Sequence, residues 1–196
     1  MLLPALLTLT LCAPSHADSL DRLFERGRTY QLFLERANAR RETWLENTRA
    51  ATVDSAVLAR ARAVGGEWRL LVVAEDWCGD SANTIPYVAR LVDSLPALAL
   101  RIVNSTDGRW VIQRYRTPDG RAATPTIVLL NPAGDPVGCF IERPAGLRQA
   151  IAAEGRTMEV LTEWRKQDAG RSTVLEIVEL LEAAAQGNGR CVPVGS

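Results

Sequence analysis

Apolar side chains recur with helical spacing from Leu20 to about Ala63. The repeat of about 3.6 residues, with arginine and glutamate between the apolar positions, predicts amphipathic helices. Asp54 is placed to cap the second of these helices, and Gly65-Gly66 follows its last turn. We therefore expect residues 18–65 to form a helical N-terminal extension.

Short apolar runs and amphipathic stripes then alternate along the chain. Four runs predict β-strands: Trp68–Ala74, Ala97–Val103, Thr126–Leu130 and Pro136–Glu142. Helices are predicted after the first, second and fourth runs, and Pro86 predicts a kink in the first of them. Two β-α-β crossovers followed by a hairpin predict an α/β fold with a mixed sheet and helices on both faces. We assign residues 66–155 to this core.

Helical patterns return after the core, over residues 158–168 and from Val174 to Ala185. They predict C-terminal helices within residues 156–186, so the α/β core carries extra helices at both termini. Gly187-Asn188-Gly189 ends the last helix and begins a loose tail, residues 187–196.

The start of the chain has the pattern of a secretory leader. Residues 2–13 are almost entirely apolar, and Ser15-His16-Ala17 places small residues where a signal peptidase cleaves. The run is shorter than the about 20 residues that span a membrane. No lysine or arginine precedes it, so a buried N-terminal helix or a misassigned start is the alternative. We expect residues 1–17 to be a signal peptide of a periplasmic or extracellular protein; an uncleaved chain would be cytoplasmic.

Composition narrows the possible chemistry. The 196 residues include 23 basic and 23 acidic side chains, a balance that does not favour a nucleic-acid partner. A single histidine, His16, excludes multi-histidine metal sites, and we expect no metal and no cofactor. Cleavage of the leader would remove His16 and Cys12. The three remaining cysteines, Cys78, Cys139 and Cys191, must leave at least one thiol unpaired or bonded to another molecule.

Cys78 lies where the first predicted strand passes into a helix, within the segment Glu75-Asp76-Trp77-Cys78-Gly79-Asp80-Ser81. Unpaired N–H groups at a helix start stabilise a thiolate, the reactive form of cysteine. Trp77 would shield one side of the sulfur, and Thr124-Pro125 opens the third strand. The alternative for Cys78 is an inert, buried thiol.

These residues resemble the thioredoxin superfamily, in which Trp-Cys-Gly faces a distant Thr-Pro. More narrowly, residues 75–80 together with Pro86 and Arg143-Pro144 are similar to a bacterial thioredoxin-like subfamily with a helical N-terminal extension. The resemblance implies a thioredoxin-like mixed sheet and a cis peptide before Pro125. It also implies that Trp77, Thr124 and Pro125 bind substrate, with the Thr124 backbone pairing with an extended chain.

The sequence departs from the thioredoxin motif at positions that limit its chemistry. Ser81 stands where thioredoxins have their second cysteine, so no disulfide can form within the motif. Val72 stands where thioredoxins have a buried aspartate. Ser81 could donate a hydrogen bond to the Cys78 sulfur or only satisfy backbone at the helix start.

Three charged residues are candidates for tuning the ionisation of the thiol: Glu75, Asp80 and Arg143. Asp80 suits a helix start but opposes a nearby thiolate. Glu75 and Asp76 could instead be solvated loop charges, or act as a proton acceptor or a partner of Arg143. Arg143 could favour the thiolate or form a surface salt bridge.

Cys139 and Cys191 are candidates for a structural disulfide in an exported protein. Cys139 lies four residues before Arg143 on one predicted strand, which puts it about 13 Å farther from the site at about 3.3 Å per residue. A disulfide needs Cα atoms about 5.5 Å apart, so Cys139 is a poor partner for Cys78. An exchange between Cys78 and Cys191 is the second choice.

The sequence predicts thiol–disulfide exchange through Cys78 alone, with mixed disulfides formed with protein or small-molecule thiols. With no second motif cysteine, an external thiol or Cys191 must release the product. The alternative from another class is a redox-inactive module that holds extended peptides in the proline groove. A weaker alternative is a peroxide sensor in which Cys78 becomes a sulfenic acid.

Overall fold

The computed structural model describes residues 16–191. The helices and strands within that range are, in chain order, α1 (His16–Arg26), α2 (Tyr30–Arg36), α3 (Arg41–Ala50), α4 (Ser55–Val64), β1 (Trp68–Val73), α5 (Gly79–Ala82), α6 (Ile85–Asp93), β2 (Leu98–Val103), α7 (Arg109–Arg114), β3 (Thr126–Leu130), β4 (Pro136–Ile141), α8 (Ala145–Glu154), α9 (Met158–Asp168) and α10 (Arg171–Ala185). The predicted α/β class, with helices at both ends of the core, is confirmed.

The four strands form one mixed sheet in the order β2-β1-β3-β4. β1 is parallel to β2 and antiparallel to β3, and β3 and β4 form an antiparallel hairpin. Val73, the last residue of β1, lies opposite both Val103 and Thr126. The ends of β1 and β2 and the start of β3 therefore meet at one edge of the sheet.

The second predicted β-α-β crossover is wrong, because β3 runs antiparallel to β1. The six residues of α7 give a helix about 9 Å long at about 1.5 Å per residue. The six residues of β2 span about 20 Å. Val103 and Thr126 both lie opposite Val73, so β3 begins at the edge where β2 ends and α7 does not return the chain across the sheet.

The predicted kinked helix is also different in the structure. It is divided into α5 and α6, and Pro86 lies in the first turn of α6. Proline is tolerated there, because the N–H groups of a first turn have no partner within the helix. The division leaves α5 as a separate helix of four residues directly after Cys78.

Each face of the sheet has its own apolar core, because successive residues of a strand point to opposite faces. Leu70 and Val72 belong to the larger core, which also holds the fully buried Trp44. Leu71 and Val73 belong to the second core, together with residues of α1 and α7. The N-terminal extension thus contributes to both faces, through α3 on one and α1 on the other.

Residues 1–15, most of the predicted leader, lie outside the described residues, as do residues 192–196 of the predicted tail. Within residues 16–191, no helix combines the length and the apolar character that crossing a membrane requires.

A disulfide joins Cys139 of β4 to Cys191, with 5.0 Å between the two Cα atoms. Cys191 packs in the second core and is 9% exposed. The bond ties the chain after α10 to the edge strand of the sheet. Cys78 is the free cysteine among the described residues.

Replacing Cys191 with serine should lower the free energy of unfolding by about 2–4 kcal/mol, because the bond closes a loop with a sequence separation of 52 residues. Urea denaturation of oxidised protein, followed by far-UV circular dichroism, measures the change. Cys139→Ser should match it, and the double variant should cost no more than either single one. An unchanged midpoint would show that the bond does not stabilise the fold.

Candidate active site

The Cys78 thiol lies between two backbone groups at the edge where β1 ends and β3 begins. Cys78 precedes α5 and is half-buried. Its sulfur accepts a hydrogen bond from the Ser81 N–H at 3.4 Å and donates one to the Thr124 carbonyl oxygen at 3.2 Å. The Thr124–Pro125 peptide is cis. The start of β3 therefore faces the thiol directly, although the two segments are far apart in sequence.

Trp77 presents a large apolar surface beside this thiol. Its side chain is 60% exposed, in a protein whose other large apolar side chains are mostly buried. An exposed aromatic ring next to a nucleophile provides a contact surface for a bound molecule.

Ser81 takes neither of the two roles expected for its hydroxyl. The residue is fully buried, and its Oγ has no hydrogen-bond partner. The contact with the sulfur comes from its backbone N–H instead. The serine side chain thus occupies the position of a second motif cysteine without a polar contact of its own.

Asp80 and Arg143 form a buried ion pair behind the motif. Arg143 Nη2 lies 2.6 Å and Nε 3.2 Å from the two carboxylate oxygens of Asp80, and their side chains are 5% and 12% exposed. The surface salt bridge considered for Arg143 is therefore wrong. Arg165 of α9 adds a contact to Asp80 at 2.7 Å. Two arginines thus pair with the one carboxylate of Asp80.

The network continues away from the thiol. Arg143 also contacts Glu142 at 2.9 Å, and Glu142 pairs with Arg121 at 2.9 Å. Glu142 is buried and has a positive φ of 63°, an uncommon conformation for a side chain of this size. These ion pairs fix the chain as it leaves β4.

Glu75 and Asp76 organise the loop before the cysteine. Glu75 accepts hydrogen bonds from the backbone N–H and the hydroxyl of Ser105, at 2.7 and 2.5 Å, so it is not a partner of Arg143. Asp76 accepts the N–H groups of Asn38 and Ala39, at 2.8 and 3.0 Å. Both carboxylates are partly exposed, and both are held by hydrogen bonds to other segments of the chain.

The N-terminal extension is part of the site, which the sequence did not indicate. Trp44 Nε1 donates to the Asp76 carbonyl oxygen at 2.9 Å, and Arg40 Nε donates to the Trp77 carbonyl oxygen at 2.7 Å. Together with the Asp76 carboxylate, these bonds hold the loop before α3 against residues 76–77. No local pattern in the sequence around Arg40 or Trp44 indicates these contacts, because their partners are more than 30 residues away.

A cavity of about 460 Å³ lies against the buried ion pairs. Its wall includes Asp80, Arg143, Arg165 and, from α6, Tyr87. Burial, and secondly the charge of Asp168, raises the pKa of the Tyr87 hydroxyl above its usual value. Within residues 16–191 no cluster of three or more histidine, cysteine or acidic side chains could hold a metal ion.

Comparison with known proteins identifies the family and the fold of this chain. A thioredoxin family model matches residues 27–163, which is more than half of the chain. No curated protein matches the sequence.

Two solved structures share the fold. One is an HIV epitope scaffold, with a TM-score of 0.70 and 19% identity over 83% of this chain and 97% of the scaffold. The other is a protein of unknown function from Pseudomonas aeruginosa, with a TM-score of 0.69 and 19% identity over 84% of this chain and 97% of that one. At this identity the likeness concerns the fold, and the family follows from the matched model: the chain belongs to the thioredoxin family.

Proposed function

We propose that this protein catalyses thiol–disulfide exchange through the single thiol of Cys78, and that it represents a bacterial thioredoxin-like subfamily with this motif. The observation that carries the proposal is the position of a free thiol between the Ser81 N–H and the residue before Pro125, with serine in place of a second cysteine. Trp77 supplies an exposed contact surface next to it.

The proposed reaction begins when Cys78 loses its proton to solvent and attacks a substrate disulfide. A bond forms between Cys78 and one substrate sulfur while the substrate S–S bond breaks, and the other sulfur leaves as a thiolate that takes up a proton. The Ser81 N–H remains as a donor to the sulfur after the proton has gone. An external thiol then attacks the mixed disulfide and restores Cys78.

Cys191 is not the resolving thiol of this proposal, because it is bonded to Cys139. The same bond supports an oxidising compartment, where structural disulfides persist. We therefore propose export, which intact-mass analysis of protein from its own host tests. Cleavage after Ala17 together with a bonded Cys139–Cys191 pair is the expected result, and an uncleaved, fully reduced chain would exclude it.

The Cys78→Ser variant should lose all covalent adducts with cellular thiols and disulfides. Lysates of the host are quenched with an alkylating agent, and the adducts are separated without reductant. Wild type should form mixed disulfides that reductant releases. Ser81→Ala is the matched control, because it alters the neighbouring buried hydroxyl and leaves the thiol in place.

The competing function is a redox-inactive module that holds extended peptides. The apolar Val72 and the buried Ser81 are the residues that favour it, since neither can move a proton or resolve a disulfide. Equal capture of partners by wild type and Cys78→Ser, without covalent adducts, would establish that module and exclude the exchange reaction.

A further inference from the structure

Arg40 places a positive charge against the backbone on both sides of Cys78. Its Nε donates to the Trp77 carbonyl oxygen at 2.7 Å. A Cβ added to Gly79 would lie 3.7 Å from the Arg40 Cζ and 3.9 Å from Nη1. The guanidinium therefore lies against Gly79, the residue after Cys78. It also donates a hydrogen bond to Trp77, the residue before Cys78.

The loop before α3 holds Arg40 in this place. Arg40 has a φ of 52°, a left-handed conformation that residues with a Cβ rarely adopt. Asp76 accepts the N–H groups of the two preceding residues, Asn38 and Ala39, and so fixes the backbone in front of it. Unfavourable conformations of this kind persist where surrounding contacts impose them, and they cluster at functional sites.

The charge of Arg40 is not used within the described structure. The residue is exposed, only its Nε is engaged, and within residues 16–191 it forms no ion pair with a carboxylate. The acids of the motif are committed elsewhere: Asp76 to backbone N–H groups and Asp80 to two arginines. The terminal nitrogens of Arg40 are thus available to a carboxylate, which the planar guanidinium binds through two parallel hydrogen bonds.

We propose that Arg40 is the specificity residue of the Cys78 site and selects disulfides that carry a carboxylate close to the sulfur. Such a carboxylate belongs to a small acidic thiol or to an acidic side chain next to a cysteine in an extended protein segment. The proposal rests on the exchange function of Cys78. Binding of the anion brings the substrate disulfide to the thiol before attack, so the selectivity acts on the rate of mixed-disulfide formation.

The test compares three small disulfides: dithiobis(nitrobenzoate), whose halves carry carboxylates, the neutral dithiodipyridine and the cationic cystamine. The wild-type rate with the anionic probe should fall about 2- to 5-fold in Arg40→Ala at low salt, which is the effect of losing one exposed ion pair. The rate with the neutral probe should change by less than about twofold, and cystamine should react faster. High salt should shrink these differences.

Two further variants separate charge at the site from other effects. Arg62→Ala removes the same charge from α4, beside Trp68 and Leu98 at the opposite end of the sheet, and should change no rate. Arg40→Lys should keep part of the selectivity, because lysine keeps the positive charge but lacks the planar guanidinium that binds a carboxylate through two hydrogen bonds. An equal loss with all three probes would mean that Arg40 only positions the loop, and no loss would mean that it does not contact substrate; either result overturns the proposal.

Peptide disulfides distinguish the two sources of the carboxylate. A peptide with aspartate beside its cysteine should react faster than the asparagine peptide if the substrate is a protein segment, and Arg40→Ala should abolish that difference. A preference seen only with the small probe indicates a small acidic thiol. Failure of Cys78 to react with any probe would refute the exchange function itself, whereas reaction without charge preference would refute only the role of Arg40.

Discussion

Replacing Ser81 with cysteine should convert the single-thiol site into one that oxidises internally. The Ser81 backbone N–H already lies 3.4 Å from the Cys78 sulfur. Residues three apart are neighbours on a helical turn, within the Cα separation of about 5.5 Å that a disulfide requires. The Ser81 hydroxyl has no hydrogen bond, so the substitution breaks no polar contact. We therefore expect the Ser81→Cys variant to fold and, under mild oxidation, to form a disulfide between Cys78 and the introduced thiol.

The functional consequence concerns the lifetime of the mixed disulfide. In wild type only an external thiol can release it, whereas a second thiol in the same turn attacks at an effective concentration that free thiols do not reach. Mixed disulfides should decay on the order of tenfold faster or more in Ser81→Cys at equal external thiol. The rate is measured by mass spectrometry of a preformed adduct.

Two variants control for this result. The double variant that combines Cys78→Ser with Ser81→Cys should form no internal disulfide, and Ser81→Ala should retain the slow release of wild type. Persistence of the adduct in Ser81→Cys would mean that the buried side chain at position 81 cannot reach the sulfur. The proposed equivalence of Ser81 with a resolving position would then be wrong.

The parts of the fold that the sequence predicted well are those with a strong local pattern. The limits of β3, Thr126–Leu130, and α9, Met158–Asp168, agree with the prediction residue for residue. A β-branched apolar run predicts a buried strand, and polar residues with helical spacing predict an exposed helix, without reference to the rest of the chain. Asp54 caps α4 as expected, because capping depends on neighbours within three residues.

The parts that could not be predicted depend on contacts distant in sequence. The direction of β3 is set by its pairing with β1, more than 50 residues earlier in the chain. The division between α5 and α6 follows from where Pro86 is tolerated. At the site, Trp-Cys-Gly and Thr-Pro led to Cys78 and Pro125, but nothing near Arg40 indicates that it contacts Trp77. Arg165 likewise reaches Asp80 from the C-terminal helices, beyond any local motif.

Replacing Arg143 with methionine should cost more stability than breaking an exposed ion pair among the described residues. The Arg143 and Asp80 side chains are 5% and 12% exposed, and removing one member of a buried pair leaves an underpaired charge. Such changes cost about 3–5 kcal/mol. Because Asp80 keeps Arg165 and Glu142 keeps Arg121, we expect a loss near the lower end of that range. Urea denaturation measures it.

An exposed ion pair with the same two-bond geometry provides a control for Arg143→Met. Arg60 binds Glu182 through two hydrogen bonds of 2.9 and 2.7 Å, but these side chains are 43% and 28% exposed. Exposed pairs contribute about 0–1 kcal/mol, so Arg60→Met should change stability little. Equal costs for Arg143→Met and Arg60→Met would contradict the effect of burial.

A double-mutant cycle separates the ion pair from the packing of the arginine stem. If the cost of Arg143→Met is mainly the unpaired Asp80 carboxylate, adding Asp80→Asn should recover part of the lost stability, because the charge left without its partner is then removed. If the cost is mainly lost packing, the two substitutions should add. Recovery would show that the buried charge of Asp80, within the motif, is compensated by Arg143 from the chain after β4. The four-residue α5 that positions Cys78 would then be held by ion pairs from outside the motif as well as by its own backbone bonds.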